Sequence, residues 1–158
     1  MTVELPISSA IQDARREAID DSNRWRGHCI ELFARADGMI AAALSGEGLT
    51  SASLAGRVDA LKKQASSEKL TQTLDALREM IEVRNLLAHA VSKVWIEDHR
   101  GWLWAYRFRP AGKGKTDQRG YWSDAEAREF EDRLRRTVQR LASYLSREVV
   151  DKTPLTKP

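Results

Sequence analysis

Apolar residues recur at spacings of three and four along most of this chain, and the one stretch where they alternate is short and aromatic. From about Ile7 to Leu44 the residues Trp25, Cys29, Leu32, Phe33, Ala36, Met39, Ile40, Ala43 and Leu44 keep the helical period, which predicts one long amphipathic helix. Ser45-Gly46-Glu47-Gly48 stops it, because two glycines in four residues cost too much backbone entropy to stay helical. A shorter helix follows from roughly Ser51 to Gln64, with Leu54, Val58 and Leu61 on one stripe. A third runs from about Ser67 to Ser92, with Leu70, Leu74, Leu77, Ile81, Ala88 and Val91 as its inner stripe.

The period then falls to two. In Gly101-Trp102-Leu103-Trp104-Ala105-Tyr106-Arg107-Phe108-Arg109-Pro110 the aromatic residues Trp102, Trp104, Tyr106 and Phe108 share a face, the pattern of a strand. Val94-Trp95-Ile96 is its expected antiparallel partner across a turn at residues 97–101, and Gly120-Tyr121-Trp122 can add a short third strand. The composition of residues 111–117 is that of a flexible loop. Ser123-Asp124-Ala125-Glu126 reads as an N-cap with a capping-box glutamate, opening a last helix to about Val149 with Phe130, Leu134, Val138, Leu141 and Leu145 inside. The tail after Asp151 is expected to be disordered. The fold class is therefore mainly α: an up-and-down bundle of about four helices with a small antiparallel β-hairpin insertion, at about residues 94–122, before the last helix. Residues 1–150 form a single domain on this reading, with 151–158 as the tail.

Composition narrows the class without naming a function. A mean hydropathy of −0.52 is that of an ordinary globular protein, and no run of about 18 apolar residues offers a transmembrane helix. The start MTVELPISSA has no basic segment leading into an apolar one, so no secretory signal is expected. Cys29 is the only cysteine, which excludes a disulfide framework and a cysteine-based zinc site and makes the cytoplasm the expected location. Charge is unevenly spread: residues 1–92 carry 11 Lys/Arg against 13 Asp/Glu, whereas residues 93–158 carry 15 against 10. Arg100, Arg107, Arg109, Lys113, Lys115 and Arg119 are opposed in their own stretch only by Asp117, a patch compatible with polyanion binding, although such a patch is usually just a solvated loop.

The candidate chemistry lies inside the third helix, at Arg84-Asn85-Leu86-Leu87-Ala88-His89. With Leu74 at zero on a wheel of about 100° per residue, the core stripe spans about −60° to 0° and Arg84 lies near about −80°, alongside it. Met80, Val83, Leu86 and Leu87 occupy other directions, so the helix is apolar around most of its circumference and should be central. Its polar sector holds Arg78, Glu82, Asn85 and His89. Arg84 and His89 thus flank the stripe about 140° apart, too far round one helix to meet directly. Asn85 and His89, four residues apart, do face each other. A guanidinium beside a core stripe is costly unless paired, so Arg84 is either the partner of an acid on a neighbouring helix or part of a site.

The string Glu82-Val83-Arg84-Asn85-Leu86-Leu87-Ala88-His89 resembles the signature of the HEPN superfamily, an Arg, a polar residue, three variable residues and a His, late in the third helix of an up-and-down bundle. The resemblance covers about residues 7–92 and 123–150, and the β insertion departs from the minimal bundle. It implies a metal-independent endoribonuclease that needs no cofactor and works as a homodimer, with the motifs of two protomers facing each other. Arg84 would hold the scissile phosphate, His89 would act as acid or base in attack by the neighbouring 2′-OH, and Asn85 would orient His89 or bond the phosphate. Arg78, Glu82, Arg107 and Arg109 are candidate substrate contacts. RNA is the implied partner, with no membrane involvement. An antitoxin protein is a possible further partner if the role is that of a toxin or phage-defence effector. A non-catalytic module that binds a nucleotide, RNA or protein, and a structural helical domain with Arg84 in an ion pair, both remain open.

Other features carry less. His28 reads as an exposed or half-buried helix residue and His99 as a solvent-exposed turn residue; no histidine pair has metal-ligand spacing. Gly112-Lys113-Gly114-Lys115-Thr116 lacks the first glycine of a phosphate loop and opens no helix. The aromatic strand is expected to pack its rings on the bundle; the alternative is a platform for bases. Alternation sets Arg107 and Arg109 on the opposite face from those rings, which argues against one combined platform and leaves an exposed basic face.

Overall fold

The computed structural model describes residues 9–44, 53–97, 101–109 and 116–152. The glycine-rich stop at 45–48, the GKGKT loop, His99 and the tail beyond Lys152 lie outside them. Four helices occur in the expected order: α1 (Ser9–Ala43), α2 (Leu54–Gln64), α3 (Glu68–His89) and α4 (Asp124–Lys152). Between α3 and α4 run three strands, β1 (Val91–Glu97), β2 (Gly101–Phe108) and β3 (Gln118–Ser123). They form an antiparallel sheet in the order β1-β2-β3, so the hairpin expected from the sequence carries the third strand as well.

Local chemistry accounts for the helix starts. The Ser53 hydroxyl accepts from the Gly56 N–H at 3.2 Å and so caps α2. Ser67 caps α3 in the same way. At α4 the box is reciprocal: the Glu126 N–H donates to Ser123 Oγ at 3.3 Å, and the Ser123 N–H donates back to Glu126 Oε2 at 2.8 Å. Because Ser123 also ends β3, strand and helix are joined with no intervening loop.

Buried apolar residues of all four helices form one cluster with Val94 of β1 and Trp104 and Tyr106 of β2. The middle helix, α3, packs against α1, α2, α4, β2 and β3, as its nearly all-round apolar surface requires. Two expectations fail at helix ends. Ala43, set on the α1 stripe, is exposed. α3 stops at His89 and does not continue to Ser92, and Val91, set on its core stripe, is 69% exposed in β1. The segment Val91-Ser92-Lys93-Val94-Trp95-Ile96 has no glycine or proline to mark the change, and its β-branched residues suit a strand as soon as β2 offers hydrogen bonds.

The sheet's inner face is welded to the bundle through Trp25 of α1. Its ring lies 5.6 Å from Trp104, 5.8 Å from Tyr106, 5.4 Å from Trp122 and 6.2 Å from Phe130, and its Nε1–H donates to the Ala127 carbonyl at 2.8 Å. The Tyr106 hydroxyl donates to the Ser22 carbonyl at 3.1 Å, and having one proton it accepts from Ser22 Oγ at 2.6 Å. The aromatic strand therefore packs its rings on the bundle, as the alternation predicts. Gly120 makes room for this: a Cβ there would overlap the Trp122 ring and come within 2.7 Å of Leu86 Cδ2.

Candidate functional site

The motif occupies the final turn and a half of α3. The helix ends by turning straight into β1 at Ala90, whose N–H donates to the Leu86 carbonyl at 2.8 Å. That leaves the later carbonyls without helical partners. Arg26 of α1 serves one of them, its Nη2 donating to the Ala88 carbonyl at 3.5 Å. The sequence carries no signal for this contact beyond Arg26 standing next to the core residue Trp25.

His89 is the last helical residue and is exposed. Its imidazole lies 5.2 Å from the Phe108 ring, tilted by 33°, and opens onto a groove of about 680 Å³ that runs across the outer face of the sheet. Arg84 is half-buried and does not line that groove. Its Nη1 donates to Asn85 Oδ1 at 3.1 Å, and among the described residues no carboxylate pairs with it. Asn85 therefore engages Arg84, whereas the (i, i+4) geometry had set it against His89. As the wheel indicates, Arg84 and His89 do not converge within one chain.

The other candidates divide. Arg78 is drawn to Asp59 of α2 at 3.4 Å, which suits a helix–helix contact. Glu82 lines a shallow cleft of about 280 Å³ between α3 and β3, with Gln118 and Arg119. Arg107 and Arg109 lie on the exposed outer face of the sheet at the His89 end. Register places Arg107 directly opposite Arg119, a like-charge pairing that repels. Asp117 sits between them: Arg107 donates to it through Nε at 3.0 Å and through Nη2, Arg109 donates through Nε at 3.0 Å, and Arg119 approaches to 3.8 Å. The hydrogen bonds from Arg109 and Arg107 hold the Asp117 carboxyl well below the usual carboxylate range, at about 2.

What sequence reasoning missed is aromatic. The outer face also carries Trp95 of β1 and Tyr121 of β3, with ring centroids 5.5 Å apart. Between them on β2 lie Leu103 and Ala105, which are outward-facing yet only 2% and 7% exposed. The two rings themselves remain 39% and 45% exposed. Lys93, opposite Ala105, stands next to them. A signal existed in Val94-Trp95-Ile96, but which face Trp95 takes depends on the β1–β2 register, since a slip of one residue reverses every side chain.

No metal cluster of His, Cys, Asp or Glu occurs among the described residues. His28 is half-exposed, with Nδ1 3.5 Å from Glu131. Cys29 is sealed in the core, where burial pushes its thiol up to about 12, so it is no nucleophile. No helix among the described residues is long and apolar enough to cross a membrane. Compared with known families, with curated proteins and with solved structures, the chain matches none.

Proposed function

We propose that this chain is a metal-independent endoribonuclease of HEPN type, acting in the cytoplasm as a homodimer. The observation that carries the reading is the end of α3: an Arg-Asn-x-x-Ala-His run that finishes with His89 open to a cation-lined groove, and an Arg84 that no carboxylate among the described residues engages. An ion-pair role for Arg84 loses its support for the same reason.

RNA carries its own nucleophile, so one cation and one proton carrier suffice for the chemistry. His89 takes the proton of a 2′-OH; that oxygen bonds to phosphorus, and the P–O5′ bond breaks. The departing 5′ oxygen collects a proton from a second acid, the partner's His89, leaving a 2′,3′-cyclic phosphate and a 5′-hydroxyl. Arg84 stabilises the charge that develops on the phosphoryl oxygens, and Asn85 steadies its guanidinium. Because Arg84 and His89 lie on different sides of α3, the reading needs Arg84 of one protomer near His89 of the other. Toxin or phage-defence activity, restrained by an antitoxin protein, is the cellular role that such an enzyme would have.

The test is cleavage of RNA in chelator by the wild type and by Arg84→Ala and His89→Ala, with the oligomeric state measured alongside. Each substitution should lower the rate by about 10²-fold or more with the fold unchanged. Cleavage that survives both would refute the reading. The separation of Arg84 from the groove favours, as a second reading, an RNA-binding module without catalysis. Binding without cleavage in every variant would select it.

A further inference from the structure

The geometry points to the outer face of the β1-β2-β3 sheet as a binding platform for a single-stranded segment of RNA, with bases stacked on Trp95 and Tyr121 and phosphates held by Lys93, Arg107 and Arg119. Three observations converge on it. The two rings stand 5.5 Å apart and keep 39% and 45% of their surface open, whereas Trp104, Tyr106 and Trp122 on the sheet's inner side are packed around Trp25 of α1. Among the described residues neither the Trp95 indole nor the Tyr121 hydroxyl has a protein hydrogen-bond partner. The groove they share with the arginines holds about 680 Å³, room for more than one nucleotide base.

Charge complementarity identifies the occupant. Four cations, Lys93, Arg107, Arg109 and Arg119, line this groove, and Asp117 sits among the three guanidiniums. Asp117 accepts from two guanidiniums and lies near a third, so the cations are already grouped around an oxyanion, and a phosphate takes the donors that Asp117 leaves free or displaces it. Lys93 precedes Trp95 and Arg119 precedes Tyr121 by two residues on the same face of their strands, about 7 Å, which suits the alternation of base and phosphate along an unpaired strand; stacking needs no particular base. A duplex would not fit, because its bases are already stacked. The choice of RNA over DNA rests on the ribonuclease reading. The platform ends at Phe108 and His89, so a strand lying on it leads its next phosphate to the imidazole.

The experiment is fluorescence anisotropy of end-labelled U12 and dT12 with the full chain in chelator, in a His89→Ala background so that cleavage cannot deplete the probe. Trp95→Leu and Tyr121→Leu keep an apolar cover over Leu103 and Ala105 while removing the π surface; each should weaken U12 binding about tenfold, with Tm unchanged. Arg107→Ala and Arg119→Ala should weaken it and flatten the salt dependence, the slope falling by about 0.7 for each phosphate that is no longer neutralised. Ile96→Ala, an exposed apolar residue off this face, should bind as the parent does. U12 binding that is indifferent to Trp95→Leu and Tyr121→Leu together overturns the platform, even if the wild type cleaves RNA. Equal affinity for dT12 overturns the assignment to RNA. U12 binding that depends on both rings, in a protein that cuts nothing, upholds the platform and refutes only the nuclease.

Discussion

The two faces of the small sheet are made from the same kinds of residue and differ in almost everything else. On the inner face Trp104, Tyr106 and Trp122 surround Trp25, and the polar tips of Trp25 and Tyr106 are bonded to Ala127 and Ser22. On the outer face Trp95 and Tyr121 lean on each other beside Leu103 and Ala105 and leave much of their surface open to solvent. An aromatic ring with its polar atom satisfied and its faces covered belongs to the core. A ring left half open beside a row of arginines has a stacking surface that the fold does not use. Residue type alone does not separate the two cases; the neighbours do.

The largest effect that should break this contrast is Trp25→Ala. It removes the hub of the inner cluster and should cost about 3–5 kcal/mol in urea unfolding. A loss near that of a surface substitution would mean that the inner face is not core. Gly120→Ala comes next: the added methyl meets Trp122 and Leu86, and about 1–3 kcal/mol of overpacking is expected in the same assay. Tyr106→Phe keeps the ring and removes the hydrogen-bond pair with Ser22, so the expected loss falls to about 1 kcal/mol. Trp95→Leu on the outer face should move stability by only about 0.5 kcal/mol, the range of ordinary surface changes. A cost like that of Trp25→Ala would make the two faces alike.

The faces should also part at the two ends of the pH scale. The guanidiniums around Asp117 depress its carboxyl to about 2, so the stability it contributes is complete above the ordinary carboxylate value and disappears as pH falls through about 2. Burial does the reverse inside: Tyr106 is held above 10.0 and Cys29 rises to about 12. Their protons are retained by the fold after the unfolded chain has released its own. The core therefore loses stability as pH climbs above the unfolded values, 9.0 for Cys29 and 10.0 for Tyr106. Carboxyl chemical shifts should show Asp117 titrating near 2 with the fold intact, and near-UV circular dichroism should report the alkaline loss. Thiol reagents at neutral pH should label Cys29 only after urea is added.

Much of the fold was legible because its signals are local. Ser123 and Glu126 mark the start of α4 within four residues, Ser67 marks α3, and the period-three-and-four apolar residues of α1 need no partner to be recognised. The end of α3 was not legible. Nothing between Ala88 and Val94 forbids helix, and only pairing with β2 makes Val91 a strand residue. The motif itself could be read from Arg84 to His89, including the conclusion that the two residues diverge on one helix. Its surroundings could not, since Arg26 and Tyr121 come to the end of α3 and its groove from elements distant in sequence.

Period, capping and composition act over one or two turns, and so they suffice for the helices, the aromatic inner strand and the six residues that carry the candidate chemistry. Tertiary structure decided what those residues face. Register sends Trp95 outward with the arginines, and chain closure sets His89 at the edge of that groove, with Arg84 on another side of α3. Those choices depend on which strand pairs with which and at what offset, and a slip of a single residue would have turned the platform into core.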